Sequence, residues 1–359
     1  MKILSVVGAR PQFIKLAPVD LALRHCGYEH VIVHTGQHYD RLMSQVFFDD
    51  LGIGPPAANL GIGSGSHAAQ TAGILTDLDP ILQQQWPDWV LVYGDTNTTL
   101  GSALTAAQRE IPLAHLEAGL RSFDRRMPEE RNRIVADHTS DLLLAPTAVA
   151  ASNLAAEGLQ ARTVLVGDVM VDALAAMQAR IESAPGHYMP ACLPDGPYLL
   201  ATLHRPETTD DAARLAATLH ALAGCPLPVI LLAHPRLRDR ADRLGIPLPR
   251  GALHVAEPLQ YPSMIAAMSA SRGLITDSGG LQKEALLLGV PCTTLRSRTE
   301  WPETLQGSWN VLVHDPQELV AAVSRPRPPG RPPTPFGDGA AAGRVAAELG
   351  SWQPSGGPR

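Results

Sequence analysis

Short apolar runs alternate with helix-forming segments along the first half of the chain. Each run has the length of a buried strand, and the segments between them, such as 103–109 and 133–138, have room for crossover helices. This alternation predicts a parallel, doubly wound sheet. The predicted strands cover residues 3–7, 31–34, 89–93, 113–116, 142–145 and 163–166.

A second α/β pattern follows a break at residues 183–186, with strands predicted at 198–203, 229–233, 254–255, 273–276 and 292–295. We therefore expect two α/β domains with a cleft between them, covering residues 1–168 and 169–324. Residues 325–337 are rich in proline, which removes the backbone donor, and predict a surface linker. Residues 338–350 favour a final helix.

The composition is that of an ordinary globular protein. The 359 residues are enough for about two domains, 45% are hydrophobic, 18% are charged and the formal net charge is −6. This balance predicts no basic face for nucleic acid. The first apolar run is too short for a signal peptide, and no apolar stretch approaches the roughly 20 residues that span a bilayer. We expect a cytoplasmic protein that binds neither nucleic acid nor membrane.

Four cysteines lie far apart without the spacing of metal ligands, which favours buried, reduced thiols over a disulfide framework. They are Cys26, Cys192, Cys225 and Cys292. No group of histidines and carboxylates has ligand spacing either. We expect no metal and no cofactor.

Acidic residues follow two of the predicted strands and begin a helix. Asp95 comes just after the run 89–93 and its glycine, and Glu117 follows the run 111–114. Glu129 lies at the start of a helical segment. Because ligands bind at the carboxyl edge of open α/β sheets, the three acids predict a functional site, although any one alone would suit a solvated loop.

The end of the first strand also predicts anion binding. Pro11 suits the first turn of a helix, whose N-terminus favours an anion, and Gly8 lets a ligand approach the backbone closely. Arg10 and Lys15 would then direct cations into the cleft. A tight turn alone also explains this segment.

A better specified anion site follows the strand predicted at 273–276. Ser278, Gly279 and Gly280 lead into a helix, so their backbone N–H groups are placed to hold a phosphate or pyrophosphate. Glu284 would repel phosphate but accept hydrogen bonds from ribose hydroxyls, which favours a nucleotide. A structural turn with a surface glutamate is the alternative.

His204 and Arg205 follow the first strand of the second domain, where they would neutralise that pyrophosphate. A structural histidine is the alternative.

The chain has no Walker A motif, and no dinucleotide glycine fingerprint follows its first strand. This argues against ATP hydrolysis and against NAD.

Taken in their order along the chain, these motifs resemble those of the non-hydrolysing UDP-N-acetylglucosamine 2-epimerase family. Its members are bacterial enzymes of GT-B fold with two Rossmann-like domains. The resemblance extends from Val7 to Val313. It rests on residues 8–12 with Lys15, 94–96, 115–121, 128–133, 204–205 and 277–284, and 336–339 resembles the closing motif.

The resemblance implies roles for the candidate residues. Asp95, Glu117 and Glu129 would be catalytic carboxylates, and His204 would join them while contacting the phosphates or the sugar. The implied substrate-binding residues are Arg10, Lys15, Arg133, Arg205, Tyr261 near the uracil, Ser278, Gly279 and Gly280 at the pyrophosphate, and Glu284 at the ribose. The first domain would hold the sugar and receive the final helix, and the enzyme would be a homodimer.

The implied reaction converts UDP-N-acetylglucosamine into UDP-N-acetylmannosamine. The C2 hydrogen of the sugar is not acidic, so the reaction would eliminate UDP to a 2-acetamidoglucal. UDP would add back after a proton reaches the opposite face of C2. Which of the three acids serves which face stays open.

Two departures from the family leave the substrate open. Trp301 stands where many members have arginine, and segment 121–128 is shorter than in the commonest members. Both traits resemble the subgroup that epimerises UDP-2,3-diacetamido-2,3-dideoxy-glucuronate, whose acid group would suit Arg125 and Arg126. A GT-B glycosyltransferase and an inactive UDP-sugar-binding protein are further alternatives, but the complete carboxylate set favours an epimerase.

An allosteric UDP-N-acetylglucosamine site, found in many members, is only partly matched. Gln37 and His38 fit its pattern, whereas Asp40 stands where a glutamine is expected. Allosteric activation is therefore not expected.

Overall fold

The computed structural model describes residues 1–36, 52–248 and 251–351, without the side chain of Arg10. Gln37, His38 and Asp40 lie outside the described residues. The chain forms two compact units, one made of Met1–Ala175 with the chain from Pro335 onward, the other of Ala176–Thr334. Within the described residues, no helix is both long and apolar enough to cross a membrane.

The first unit contains a parallel sheet flanked by helices. Its strands are β1 (Lys2–Val7), β2 (Glu29–His34), β3 (Ala58–Asn59), β4 (Trp89–Tyr93), β5 (Leu113–Leu116), β6 (Leu142–Ala145) and β7 (Thr163–Leu165). Its helices are α1 (Arg10–His25), α2 (His67–Gln85), α3 (Asn97–Gln108), α4 (Pro128–Thr139) and α5 (Ala148–Ala156), and α6 (Val169–Ser183) leads into the second unit. The strand order is β3-β2-β1-β4-β5-β6-β7, and every pairing is parallel.

Apolar periodicity explains how α2 packs on this sheet. Ile74, Leu78 and Leu82 recur every four residues and form one buried face of the helix. They belong to the same core cluster as Leu4 of β1 and Val90 of β4. Each fully buried side chain of this kind stabilises the fold by about 1.5–3 kcal/mol relative to an exposed one.

The second unit repeats the architecture with six parallel strands. These are β8 (Leu199–Thr202), β9 (Val229–Leu232), β10 (Leu253–Ala256), β11 (Gly273–Thr276), β12 (Cys292–Thr294) and β13 (Asn310–Leu312). The helices are α7 (Pro206–Thr209), α8 (Ala212–Ala223), α9 (Pro235–Arg243), α10 (Tyr261–Ala270), α11 (Gly279–Leu287) and α12 (Leu319–Val323). The strand order is β10-β9-β8-β11-β12-β13. It reverses direction between β8 and β11, as the order of the first sheet does between β1 and β4.

Helices cover both faces of this second sheet. Leu199 packs in one core cluster with Leu215 and Leu219 of α8, whereas its neighbour Leu200 packs in another with Met264 of α10. Successive residues of a strand point to opposite faces of the sheet. The sequence of a strand that is buried on both faces is therefore one continuous apolar run.

The predicted doubly wound parallel architecture is confirmed. The apolar runs coincide with strands in both units. Sequence analysis missed β3 and β13, which span only two and three residues and leave no detectable periodicity. The exact domain boundaries stay predictions.

The final helix, α13 (Ala341–Ser351), lies in the first unit. The Asp172 carboxylate accepts hydrogen bonds from the N–H groups of Ala341 and Ala342, at 3.2 and 3.0 Å. At the other end of the helix, the Trp89 indole N–H donates to the Leu349 carbonyl at 3.1 Å. The helix is therefore held at both ends.

The expectation of four buried cysteines is wrong for two of them. Cys225 and Cys292 are buried, and burial raises the pKa of their thiols to about 11 and about 12. Cys26 and Cys192 are exposed, and Cys26 directly follows the end of α1. All four are free thiols.

Replacing Asp172 by alanine removes the acceptor for two amides at the start of α13. We expect the free energy of unfolding to fall by about 1 kcal/mol, as for the loss of a helix N-cap. Urea unfolding followed by circular dichroism measures this change. Glu182→Ala, an exposed acid on the same helix α6, should change the free energy by less than about 0.5 kcal/mol. An equal loss in both variants would contradict the capping role.

Candidate active site

A buried ion pair lies at the carboxyl edge of the first sheet. Glu117 follows β5, and its carboxylate pairs with the ammonium of Lys15 on α1. Gly94 follows β4, and a β-carbon there would lie 3.1 Å from Glu117 Oε2 and 3.7 Å from Lys15 Nζ. Glycine therefore leaves room for the pair. Glu117 itself has a left-handed backbone (φ 72), a conformation that costs a non-glycine residue of order 1–3 kcal/mol.

A second ion pair lies at the adjacent turn. Asp95 follows β4, and its Oδ2 accepts from Nε and Nη2 of Arg133, at 2.9 and 2.5 Å. Arg133 is buried in α4, whereas the Asp95 side chain is 30% exposed. The Asp95 carbonyl also accepts from the Asn132 amide at 2.9 Å. The turn is thus fixed from α4 while its carboxylate remains partly open to solvent.

The neighbouring acids of α4 have different surroundings. Glu130 is buried and accepts from Arg133 Nη1 at 3.0 Å and from the Ser122 N–H and hydroxyl at 2.8 and 2.9 Å. It also accepts from the Phe123 N–H at 2.9 Å. Glu129 is half-buried and has no ion-pair partner among the described residues. Glu129 is therefore the less constrained of the two carboxylates.

A buried network supports the Gly94 turn from below. His115 Nε2 donates to the Gly94 carbonyl at 2.7 Å, and its Nδ1 lies 2.7 Å from Asp137 Oδ1. Asp137 Oδ2 accepts from Arg121 Nη1 at 2.7 Å and from the Gly119 N–H at 3.1 Å. Burial raises the pKa of Asp137, but His115 and Arg121 outweigh it, so the pKa lies below its ordinary value. The Asp137 carboxylate therefore stays ionised beneath the turn, where it is paired with Arg121.

In the second unit, a buried carboxylate organises the turn after β8. Asp277 accepts from the His204 N–H at 3.1 and 3.0 Å and from the Arg205 N–H at 2.9 Å. Its Oδ1 also lies 3.0 Å from His204 Nδ1. Burial alone would raise the pKa of Asp277. The His204 side chain and the two backbone amides lower it by more, so the pKa lies below its ordinary value. Asp277 thereby orients the His204 ring, which is 38% exposed.

The turn at the start of α11 has close carboxylate and cation neighbours. The Ser278 N–H donates to Thr276 Oγ1 at 3.0 Å, so one of the three predicted amide donors is engaged within the protein. A β-carbon at Gly279 would collide with the Glu300 carboxylate, whereas one at Gly280 would meet nothing within 4 Å. Arg205 Nη2 lies 4.0 Å from Glu300 Oε1, and Arg205 Nε is buried without a hydrogen-bond partner among the described residues.

Two candidate nucleotide-binding residues lie together in this unit. Tyr261 begins α10, Glu284 lies in α11, and both are buried. Burial and the adjacent Glu284 carboxylate raise the pKa of the Tyr261 hydroxyl well above its ordinary value. Both side chains are therefore shielded from solvent.

Trp301, which stands where arginine was expected, is paired with a cation. The Lys283 ammonium lies 3.7 Å from the centroid of the Trp301 ring, and both side chains are buried. This distance is that of a cation–π interaction. A positive charge is thus present beside residue 301 even though this residue does not supply it.

The structure places most of the predicted site residues in two groups, one in each unit. In the first unit it brings together Lys15, Asp95, Glu117 and Arg133, and Glu129 lies on the same helix as Arg133. In the second unit it brings together His204 with Arg205, and Tyr261 with Glu284. Arg10 lies outside the described side chains. Sequence reasoning gave no role to Glu130, Asp137 or Asp277, although the i,i+3 spacing of Glu130 and Arg133 was a usable signal.

Comparison with known proteins identifies relatives over nearly the whole chain. The family model described as UDP-N-acetylglucosamine 2-epimerase matches residues 22–350. A UDP-N-acetylglucosamine 2-epimerase homolog of Methanococcus maripaludis is 45% identical over 324 residues, which cover 89% of this chain and 90% of the relative. The UDP-2,3-diacetamido-2,3-dideoxy-D-glucuronate 2-epimerase of Pseudomonas aeruginosa is 44% identical over 332 residues, covering 90% and 92%.

A solved structure agrees with these matches. The crystal structure of Methanocaldococcus jannaschii UDP-GlcNAc 2-epimerase in complex with UDP-GlcNAc and UDP has a TM-score of 0.89 and 36% identity, covering 98% of this chain and 99% of that one. The GT-B fold class and the family resemblance are thereby confirmed. The chain belongs to the UDP-N-acetylglucosamine 2-epimerase family, whose members are isomerases.

Proposed function

We propose that the protein inverts C2 of a UDP-linked, N-acetylated amino sugar by eliminating UDP and adding it back. The observation that carries this proposal is the set of three acids in one unit. Glu117 pairs with Lys15, Asp95 pairs with Arg133, and Glu129 has no ion-pair partner among the described residues. Inversion needs proton acceptors and donors around one carbon, and this set provides both.

The elimination step breaks the C2–H and C1–O bonds. A carboxylate takes the C2 proton, the C–H electron pair becomes the C1=C2 double bond of the glucal, and UDP leaves with the C1–O electron pair. Re-addition forms the C1–O bond again while a carboxyl group delivers a proton to the opposite face of C2. We assign Glu129 to proton exchange because a change of its charge breaks no ion pair with any described residue.

The departing diphosphate needs positive charge and N–H donors. His204 contacts Asp277 through Nδ1, so its other ring nitrogen, Nε2, would form the hydrogen bond to a phosphate oxygen. The buried Arg205 Nε, which lacks a partner among the described residues, is a second candidate donor. One well-placed donor typically contributes several kcal/mol to stabilising a developing negative charge. Gly279 and Gly280, at the start of α11, would hold the pyrophosphate, Glu284 the ribose and Tyr261 the uracil.

Two substrates fit the comparisons, UDP-N-acetylglucosamine and UDP-2,3-diacetamido-2,3-dideoxy-glucuronate. Arg126 is engaged by Asp124, with Nη2 2.7 Å from Oδ2. Arg125 is exposed, and among the described residues its one hydrogen bond is from Arg131 Nε to its carbonyl, at 3.0 Å. If the substrate is the uronate, Arg125 is therefore the better candidate to bind its acid group.

We also infer that the enzyme is a cytoplasmic homodimer. The homodimer rests on the family resemblance, and the cytoplasmic location rests on the apolar pattern of the sequence. Light scattering of the purified protein tests the homodimer, and twice the monomer mass is the expected result.

The substrate and the reaction are tested by one incubation of the purified protein in D₂O. UDP-N-acetylglucosamine and the diacetamido-uronate are supplied separately without an acceptor. NMR should detect the C2 epimer of one sugar with deuterium at C2, because the proton returns from solvent. Retention of the original hydrogen, with no epimer from either sugar, would reject the proposal.

Glu129→Gln tests the proton-exchange role. We expect kcat to fall by about 10²–10⁴-fold, the usual contribution of one acid–base group, with an unchanged melting temperature. The exposed Glu182→Gln is the matched control and should keep full activity. Wild-type kcat in Glu129→Gln would remove Glu129 from the mechanism.

Asp277→Asn tests the charge beneath His204 through acid stability. The pKa of Asp277 in the folded chain lies below its ordinary value of 3.8, so the ionised carboxylate stabilises the fold above that pH. This contribution is lost as the pH falls through the lower, folded pKa. Urea unfolding should therefore show a wild-type advantage that is constant near neutrality and shrinks below about pH 4. A difference independent of pH would contradict the assignment.

A further inference from the structure

Phe123 combines exposure with an unfavourable backbone conformation. The residue is 73% exposed, more than any other large apolar residue in the described part of the protein. Its φ is 57, in the left-handed region that a bulky residue rarely adopts. Strain of this kind persists only where the surroundings impose it, and it clusters at ligand-binding sites.

The buried carboxylate of Glu130 imposes this conformation. It accepts from the Phe123 N–H at 2.9 Å and from the Ser122 N–H at 2.8 Å, so two successive amides are fixed on one side chain. The Ser122 hydroxyl adds a third bond at 2.9 Å. The exposed ring is therefore presented from a rigid turn.

The same carboxylate is joined to the candidate catalytic acids. Arg133 donates Nη1 to Glu130 at 3.0 Å and Nε to Asp95 at 2.9 Å. One guanidinium thus links the turn carrying Phe123 to the turn carrying Asp95. A displacement of either turn would alter the hydrogen bonds of the other.

We propose that Phe123 is a specificity-determining residue whose ring packs on the apolar part of the sugar, its C–H face or acetamido methyl group. The proposal rests on the proposed function, since it concerns the substrate of that site. An aromatic ring contributes apolar contact with little side-chain entropy to lose. The contact would be made in ground and transition states alike and would therefore act on KM.

Trp86 provides a matched control, because it is also aromatic, 65% exposed and left-handed (φ 39). Its conformation has a structural cause, since its N–H closes α2 by donating to the Leu82 carbonyl at 2.9 Å. It precedes β4, at the sheet edge opposite to the candidate site. Phe123 ends no helix.

The test measures steady-state kinetics of the wild type, Phe123→Ala and Trp86→Ala with the sugar that the wild type epimerises. In Phe123→Ala we expect KM to rise about tenfold, as for the loss of one aromatic contact, with kcat unchanged. The inhibition constant of UDP should not change, because UDP lacks the sugar. Trp86→Ala should keep the wild-type KM.

The outcomes separate this inference from the proposed function. No epimer from wild-type protein with either sugar rejects the proposed function. Normal wild-type turnover with an unchanged KM in Phe123→Ala overturns only the role of Phe123. An equal rise in the inhibition constant of UDP also overturns it, because the effect would then not be specific to the sugar.

Phe123→Gly separates the ring from the backbone. Glycine adopts the left-handed conformation without steric cost, so the turn held by Glu130 is kept. We expect the same rise in KM as in Phe123→Ala, with a melting temperature no lower than that of Phe123→Ala. A wild-type KM in Phe123→Gly would assign the alanine effect to strain and overturn the proposal.

Discussion

Parallel strand pairing is the constraint on which both units depend. Each strand in a parallel sheet must be followed by a crossover, so every strand-to-helix turn emerges at the same edge. In both sheets the strand order reverses beside the first strand, between β1 and β4 and between β8 and β11. The turns there diverge and leave space for a ligand. Gly94 and Asp95 follow β4, whereas His204 and Asp277 follow β8 and β11. The backbone pairing thus determines where the chemistry can occur.

Burial makes the charges of the first unit interdependent. Lys15, Glu117, Glu130 and Arg133 are each less than one-tenth exposed, so each loses most of its hydration on folding. Pairing offsets this cost, but the removal of one partner leaves a buried charge that typically destabilises a protein by about 3–5 kcal/mol. The groups that we assign to substrate binding or positioning therefore also stabilise the fold. Glu129 and the partly exposed Asp95 are less restricted by this dependence.

Sequence analysis predicted the strands and the strand-end residues because buried parallel strands are continuous apolar runs that stop at glycine or at a charge. It gave no role to Glu130, because residue type alone does not show which way each of two adjacent acids on a helix faces, and the structure directs Glu130 to Ser122 and Arg133. Cys26 was misjudged because the residue type is usually buried, whereas its place after α1 is exposed. The strained turn at Phe123 was also not predictable, because no glycine marks its positive φ.

The return of α13 to the first unit makes that unit discontinuous along the chain. During synthesis on the ribosome, every residue of the second unit emerges before α13 does. Until then the Trp89 indole N–H and the Asp172 carboxylate lack their native partners on that helix. Translation therefore completes the contiguous second unit first, and the unit that begins the polypeptide is the last to acquire its full set of contacts.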